Sequence, residues 1–141
     1  MIGAVRSKRA ARAVYDAINR RDLDTLLRAM AEDVVFDFPL EPGDDGHHVG
    51  KSAVAQWFRT FLDDYPQIAF TLRHVSAEDI FALGGTNTVH AEWDLAFADR
   101  HGKRYQNRGV TAISFRRGRI VHLRDYIFEQ IGLVEASGAA G

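Results

Sequence analysis

The chain has 141 residues, no cysteine and a formal net charge of −1. This length corresponds to a single domain that can bury a core of its own. The near-neutral charge gives no electrostatic reason to expect a nucleic acid or an anionic membrane as a partner. The lack of cysteine excludes disulfides, thiolate catalysis and cysteine-based zinc sites. The sequence has no apolar run long enough for a membrane span of roughly 20 residues or for a secretory signal, so we expect a cytoplasmic protein.

Two helices are predicted at the start of the chain. From about residue 4 to 19, Val14 and Ile18 lie four positions apart among many alanines, a spacing that indicates a helix. Asp22 is a suitable N-cap for a second helix, because its carboxylate can accept hydrogen bonds from the free amides of the first turn. The apolar positions of that helix follow at intervals of three and four residues and are Leu23, Leu26, Leu27 and Met30.

A short strand and a third helix follow. Val34 to Phe38 is predicted as a strand that Pro39 ends, and residues 41–50, EPGDDGHHVG, are predicted as a loop on composition. Ser52 is the predicted N-cap of the third helix, which Pro66 ends. The wide apolar stripe of this helix is the strongest helical pattern in the chain and consists of Val54, Trp57, Phe58, Phe61, Leu62 and Tyr65.

The second half of the chain is predicted to form strands. Glycine-containing turns connect four of them, at residues 68–83, 88–97, 105–115 and 119–128. Helices followed by strands with short turns indicate an α+β fold, with the helices on one face of a curved antiparallel sheet. We expect one domain with an ordered core from about residue 4 to 130 and a flexible tail over residues 135–141.

An acid interrupts the apolar face of the last predicted strand. Side chains alternate along a strand, so Asp125 shares its face with Leu123 and Ile127. An ionised carboxylate on an apolar face is unfavourable unless it is paired or hydrogen-bonded. If this face lines a pocket, desolvation raises the pKa of Asp125 and makes it a general acid or base near neutral pH. The alternative is an ion pair with Arg108 or Arg124 that only fixes the sheet.

Three segments carry a family resemblance over nearly the whole chain, from about residue 8 to 130. They are NRRDLDTLLRAMAEDVVFDFP, GKSAVAQWF and YQNRGVTAISFRRGRIVHLRDYIFE. The chain resembles the SnoaL-like, ketosteroid-isomerase-like branch of the nuclear transport factor 2-like superfamily. The resemblance implies a cone in which a bent sheet wraps a long helix around an apolar pocket, and a homodimer that packs through the outer sheet face. This fold hosts isomerases, dehydratases, epoxide hydrolases, polyketide cyclases and non-catalytic binders.

The catalytic residues of ketosteroid isomerases do not carry over to this chain. Their general base falls at Phe38, while Asp37 is one residue away and is expected to point to the other side. Their helix tyrosine falls at Val14, with Tyr15 adjacent, and their protonated aspartate falls at Thr111. Steroid isomerisation by that mechanism is therefore not expected.

The limonene-epoxide hydrolases resemble the last three strands without a gap. Their two aspartates fall at Asp125 and Asp94, whereas their arginine falls at Glu92, which reverses the charge. Their water-positioning tyrosine and asparagine fall at Phe36 and Phe38. Polyketide-cyclase relatives use an acid close to the position of Asp125. Among the family's catalytic residues, the resemblance therefore best supports an acid at Asp125.

The strand before the final hairpin has one polar and one apolar face. The resemblance places the polar face inside the cone, where His90, Glu92 and Asp94 would assist Asp125 as further catalytic residues. The hydrophobic pattern argues for the opposite arrangement, because the face that contains Trp93 is the more apolar one. With the polar face inside, the Trp93 face is expected to form the homodimer interface. The polar residues could instead form a solvated face, and although a metal site there is chemically possible, we predict none.

The predicted ligand contacts surround Asp125. Tyr105 and Asn107 lie on a neighbouring strand and share a face with Thr111, and Asn107 can hold the Asp125 carboxylate or a substrate oxygen. His47 and His48, in the loop at 41–50, can lie near the pocket mouth, although a histidine in a loop is more often only solvated. The remaining predicted contacts make the pocket suited to flat apolar ligands and are Val14, Met30, Phe36, Phe38, Trp57, Phe61, Leu123 and Ile127.

Three functions are consistent with the sequence. The first is a cofactor-free enzyme that acts on a small apolar molecule with a carbonyl, hydroxyl or epoxide oxygen, with Asp125 as general acid or base. Isomerisation, dehydration, epoxide opening and aldol-type cyclisation fit such a site. The second is a module that binds such a ligand without chemistry, and the third is a dimeric scaffold with a vestigial pocket.

Overall fold

The structure is a computed structural model that describes residues 2–39 and 45–134, with side chains described as far as residue 128. The predicted α+β class is confirmed, since three helices accompany a curved, unclosed six-stranded sheet. The predicted tail at 135–141 lies outside the described residues. In chain order the elements are α1 (Ile2–Asn19), α2 (Leu23–Arg28), β1 (Met30–Asp37), β2 (His47–Val49), α3 (Lys51–Asp64), β3 (Gln67–Ala77), β4 (Asn87–Ala98), β5 (Arg104–Arg116) and β6 (Arg119–Val134).

The sheet is mixed, with strand order β2-β1-β6-β5-β4-β3. The β3–β4–β5–β6 meander is antiparallel, as predicted. The β1–β2 pair is also antiparallel, whereas β1 runs parallel to β6. Arg117 and Gly118 have φ of 51° and 80° in the turn between β5 and β6, and positive φ at both central residues is what a type I′ hairpin turn requires. Register shifts in the β3–β4 and β5–β6 pairings mark irregularities of the β-bulge type, which bend strands.

The helices agree with the predicted patterns except at the N-terminus of α3 and the C-terminus of α2. Asp22 caps α2 as expected, because its carboxylate accepts a hydrogen bond from the Thr25 amide at 3.1 Å. Ser52 is not the cap of α3, since Gly50 occupies the N-cap position with φ 91° and leads the chain directly from β2 into the helix. Met30 does not extend the apolar face of α2 either, because it begins β1 and is completely buried. None of the helices in the described residues is long and apolar enough to cross a membrane.

Part of the predicted loop at 41–50 is a strand. Residues 40–44 lie outside the described residues, and His47–Val49 forms β2, which pairs with β1 through Val35 and Val49. Composition favoured a loop because the segment is rich in glycine and aspartate. The three-residue strand depends instead on the edge of β1, which supplies the hydrogen-bonding partner.

The apolar face of β4 packs inside the protein, and its polar face lies outside. Trp93 is 2% exposed and belongs to the core cluster with the helices. The expectation that His90, Glu92 and Asp94 share the pocket with Asp125 is therefore wrong, because these residues lie on the outer face of the sheet. The expectation that Trp93 contributes to an outer dimer interface is wrong for the same reason. Burial of a large aromatic surface outweighs any arrangement that would place two acids in the core.

The outer position of Asp94 is stabilised by two arginines. Arg73 Nε donates to Asp94 Oδ2 at 2.6 Å, and Arg108 Nε lies 3.4 Å from Asp94 Oδ1. All three side chains are partly exposed, so this ion-pair cluster belongs to the solvated surface of the sheet. Arg108 therefore contacts Asp94 across the β4–β5 pairing.

Candidate active site

A cavity of about 1040 Å³ lies between the inner face of the sheet and helices α1 and α3. Most of the side chains that line it are apolar or aromatic. Its inner surface is contributed by α1, β1, β2, α3 and the four strands of the meander. The predicted contacts that line it are Val14, Phe36, Phe38, Trp57, Phe61, Tyr105, Asn107, Thr111, Leu123, Asp125 and Ile127. Met30 is the exception among the predicted contacts, because its side chain is completely buried in the core and does not reach the cavity.

Aromatic rings pack against one another along the α3 side of the cavity. The ring of Trp57 lies 4.7 Å from that of Phe36, 5.0 Å from that of Phe38 and 5.1 Å from that of Phe61, measured between centroids. Contacts of this kind favour particular relative orientations of the rings. The wall therefore offers flat apolar surface to a ligand.

Asp125 is half-buried at the inner surface of this cavity, between Leu123 and Ile127 on β6. Thr111 lies directly opposite Asp125 in the β5–β6 pairing, and its hydroxyl donates a hydrogen bond to Asp125 Oδ1 at 2.6 Å. Burial raises the pKa of Asp125 from 3.8 to about 7, and the hydrogen bond from Thr111 acts in the opposite direction. Both protonation states of this carboxyl are therefore populated near neutral pH.

Thr111 is held in place by further contacts. The indole Nε1–H of Trp93 donates to Thr111 Oγ1 at 2.9 Å, in a buried hydrogen bond. The hydroxyl of Tyr15 on α1 is close enough to both Thr111 and Asp125 for each of them to affect its pKa. The resemblance treated Thr111 only as the replacement of an acid, whereas the structure makes it the residue that contacts the acid Asp125.

Tyr15 is a site residue that the sequence reasoning did not identify. It is 4% exposed and lines the cavity beside the predicted contact Val14. Burial and the nearby Asp125 carboxylate both raise the pKa of Tyr15, so its hydroxyl keeps its proton throughout the physiological range. The signal in the sequence was its position next to Val14 on a helix, where two adjacent residues can both border the same wide apolar face.

The two histidines at 47 and 48 have different surroundings. His48 lines the cavity. His47 points to the other side, where its Nδ1–H donates to Asp37 Oδ1 at 2.5 Å. The second oxygen of Asp37 accepts a hydrogen bond from His122 Nε2 at 2.5 Å, so one carboxylate joins β2, β1 and β6. As predicted, Asp37 points away from the cavity that Phe38 lines.

Comparisons with known proteins agree with this architecture. The family model of the SnoaL-like domain matches residues 11–123. The uncharacterized protein YesE of Bacillus subtilis (strain 168) is 31% identical over 111 residues, which cover 75% of this chain and 70% of that protein. A solved LEH-like epoxide hydrolase of Mycobacterium tuberculosis is 21% identical and superposes with a TM-score of 0.70 over 89% of this chain and 84% of that one. RV0760c of Mycobacterium tuberculosis, solved in complex with estradiol-17beta-hemisuccinate, is 19% identical with a TM-score of 0.73 over 92% and 98% of the two chains. The chain belongs to the SnoaL-like domain family, which confirms the resemblance read from its sequence.

Proposed function

We propose that this protein is an acid/base enzyme that acts on a small, apolar, oxygen-bearing molecule, with Asp125 as the group that transfers the proton. The observation that carries this proposal is the carboxyl of Asp125 on an aromatic-walled cavity, with a pKa of about 7. A group whose pKa lies near the working pH is the most effective general acid or base, because it is both available in the required state and strong enough to act.

The chemistry of the cavity favours a neutral ligand. Among the described residues that line it there is no lysine or arginine, and the acids there are Asp125 and Asp64. A carboxylate or phosphate on the ligand would lose its hydration without gaining a cationic partner. A carbonyl, hydroxyl or epoxide oxygen can instead accept a hydrogen bond from the neutral form of Asp125.

The proposed reactions are those in which one carboxyl moves a proton at such an oxygen or at the carbon beside it. Isomerisation, dehydration, epoxide opening and aldol-type cyclisation meet this condition, and none of them requires a cofactor in the proposed mechanism. The likeness to an LEH-like epoxide hydrolase supports the proposal that a scaffold of this kind can host such chemistry. Glu92 lies on the outer face, so the proposed mechanism depends on Asp125 and the groups around Thr111.

A non-catalytic binding role is the second candidate. The similar protein RV0760c was solved with estradiol-17beta-hemisuccinate, which is a flat apolar molecule with an acidic extension. Such a role requires only the aromatic wall and the volume of the cavity. Proton transfer by Asp125 would then be incidental, and replacing it would leave the function intact.

A pair of matched variants separates these two functions. Apolar epoxides and β,γ-unsaturated ketones serve as substrate probes, with product formation followed by chromatography and binding followed by quenching of tryptophan fluorescence. Asp125→Asn is expected to abolish turnover while affinity for the probes stays within about tenfold, or roughly 1.4 kcal/mol. Asp94→Asn is the control, because it removes an acid from the same sheet on the outer face. Normal turnover by Asp125→Asn would exclude Asp125 as the acid or base, and binding without turnover by the wild-type protein would favour the second function.

A further inference from the structure

We infer that Thr111 is a positioning residue that keeps Oδ1 of Asp125 as a hydrogen-bond acceptor and thereby reserves Oδ2 for proton exchange with a bound molecule. The role of Oδ2 in proton exchange with a bound molecule rests on the proposed function. The assignment of the two oxygens follows from the hydrogen-bonding capacity of the groups around Thr111. It predicts where the proton of the neutral acid lies, whether or not a substrate is present.

The direction of the bond from Trp93 is fixed by the chemistry of the indole ring. An indole nitrogen carries one hydrogen and has no acceptor capacity, so Trp93 Nε1 can only donate to Thr111 Oγ1, at 2.9 Å. The hydroxyl hydrogen of Thr111 is then directed elsewhere. Its acceptor is Asp125 Oδ1, at 2.6 Å, a distance typical of a strong bond to a carboxylate.

The Thr111 hydroxyl is buried, so its hydrogen bonds to protein groups are not readily replaced by bonds to water. A hydroxyl has one hydrogen to donate and can also accept. Thr111 accepts from the Trp93 N–H and donates its own hydrogen to Asp125 Oδ1.

A proton on Oδ1 would disturb this arrangement. Asp125 would then donate to Thr111, and Thr111 could no longer donate to Oδ1. Its other described partner, the Trp93 N–H, cannot accept, so the buried Thr111 hydrogen would lose its acceptor in this network. An unsatisfied buried donor disfavours such a state by about tenfold or more, so the neutral acid carries its proton on Oδ2.

Other titratable groups line the cavity but are not part of this arrangement. Burial is the main cause of the raised pKa of Asp125, and Thr111 is the group that opposes it. The residues of β4 that line the cavity, Trp93, Leu95 and Phe97, do not titrate. Besides Tyr15, the titratable side chains on the described wall are His48 of β2, Asp64 and Tyr65 of α3, and Tyr105 of β5.

The position of the proton is tested by infrared spectroscopy of the full chain with carboxyl-¹³C aspartate. The spectrum of Asp125→Asn is subtracted to isolate the C=O stretch of neutral Asp125. With the proton on Oδ2, the carbonyl oxygen is Oδ1, and the hydrogen bond from Thr111 lowers its stretching frequency. We expect Thr111→Val to move this band to higher frequency and Thr111→Ser to leave it near the wild-type position.

A titration of the same label by NMR gives a second readout. Thr111→Val is expected to raise the pKa of Asp125 by about one unit, a tenfold change in the ratio of neutral to ionised acid, and Thr111→Ser to restore it. An unchanged C=O band or an unchanged pKa in Thr111→Val would overturn the inference. If the valine variant does not fold, Trp93→Phe provides the test, because loss of its N–H donor should weaken the Thr111 bond and shift band and pKa in the same directions.

The two proposals can fail separately. The spectroscopic measurements need no substrate, so an inactive protein can still confirm the role of Thr111. Normal turnover by Asp125→Asn would exclude the proposed enzyme mechanism and leave the assignment of the oxygens untouched. If the wild-type protein is active but the C=O band of Asp125 is the same in Thr111→Val, only the positioning role of Thr111 is excluded.

Discussion

Trp93 and Gly109 face each other in the β4–β5 pairing, and the indole ring of Trp93 lies over the backbone of Gly109. A Cβ atom at position 109 would lie 2.8 Å from Trp93 Cζ2 and 2.5 Å from the carbonyl oxygen of Tyr126. Both distances are far below van der Waals contact. The absence of a side chain at Gly109 is therefore what allows the Trp93 Nε1–H to reach Thr111.

Gly109→Ala should therefore destabilise the protein and displace Trp93. Overpacking of this kind lowers the free energy of unfolding by about 1–3 kcal/mol, measurable by urea denaturation. The near-ultraviolet circular dichroism of the indole should change at the same time. Gly84→Ala is the matched control, because nothing lies within 4 Å of its Cβ position, and it should stay within about 0.5 kcal/mol of wild type. Equal stability of the two variants would contradict this packing.

Asp125 should make the stability of the protein fall as pH rises. Its pKa is raised from 3.8 to about 7 in the folded protein, so its contribution is fully present below about pH 3.8 and is lost as pH rises through about 7. One pKa unit corresponds to about 1.4 kcal/mol, which sets an upper limit on the order of 4 kcal/mol. Asp125→Asn lacks this dependence.

The measurement is the free energy of unfolding of wild type and Asp125→Asn as a function of pH. The variant should gain stability relative to wild type between about pH 4 and about pH 7, and the difference should level off above that range. Subtracting the two curves removes the contributions of groups that titrate alike in both proteins. A difference that stays constant with pH would show that Asp125 has an ordinary pKa.

The Asp37 carboxylate should attach β2 to the sheet in a pH-dependent way. Its hydrogen bonds to His47 and His122 lower the pKa of Asp37 against the effect of burial, and the bond to Asp37 raises the pKa of His47. The ionic part of the interaction is present above the ordinary pKa of Asp37 and below that of His47. It is lost as pH falls through the lowered value of the acid or rises through the raised value of the histidine.

Hydrogen exchange of the amides at residues 45–50 tests this attachment. After correction for intrinsic rates, protection should be greater at about pH 6 than at about pH 8.5, a range in which histidine titrates. Asp37→Asn should remove this difference, while amides of the central β5 strand serve as an internal reference. Protection that does not change with pH in the wild-type protein would contradict an ionic attachment. Because His48 follows His47 and lines the cavity, loss of the attachment should also weaken probe binding.

The predicted homodimer stays a prediction, and its surface must be redefined because Trp93 lies inside. Tyr126 is 52% exposed and pairs with the half-buried Val110 on the outer face of the sheet. If this face forms the dimer, Tyr126→Asp should place a charge in the interface and shift the protein to monomer in light scattering. Phe81→Asp is the control, since Phe81 is 75% exposed but lies in the connection between β3 and β4. A wild-type protein that is monomeric at about 100 μM would exclude an interface of the stable kind, which buries roughly 1,200–2,000 Å².

Local sequence patterns were sufficient to predict most of the helices and strands and the face on which Asp125 lies. Alternation along a strand is a local property, so the pattern around Leu123 and Ile127 was enough to put Asp125 on a face that turned out to line the cavity. The same local pattern indicated that the more apolar face of β4 belongs inside, and the structure follows that pattern rather than the placement implied by relatives. Hydrophobic periodicity succeeded because burial of apolar area dominates the choice of face.

The residues that contact Asp125 depend on strand register and on packing between distant elements. That Thr111, and not Asn107, lies opposite the acid depends on the register of β5 and β6, which shifts at irregularities that no local pattern reveals. The parallel pairing of β1 with β6 and the strand at His47–Val49 likewise depend on backbone partners far away in the sequence. Tyr15 lies near Thr111 and Asp125 because α1 packs on the sheet. A periodic pattern predicts which face of a helix is buried, but not which of its residues meets which residue of the sheet.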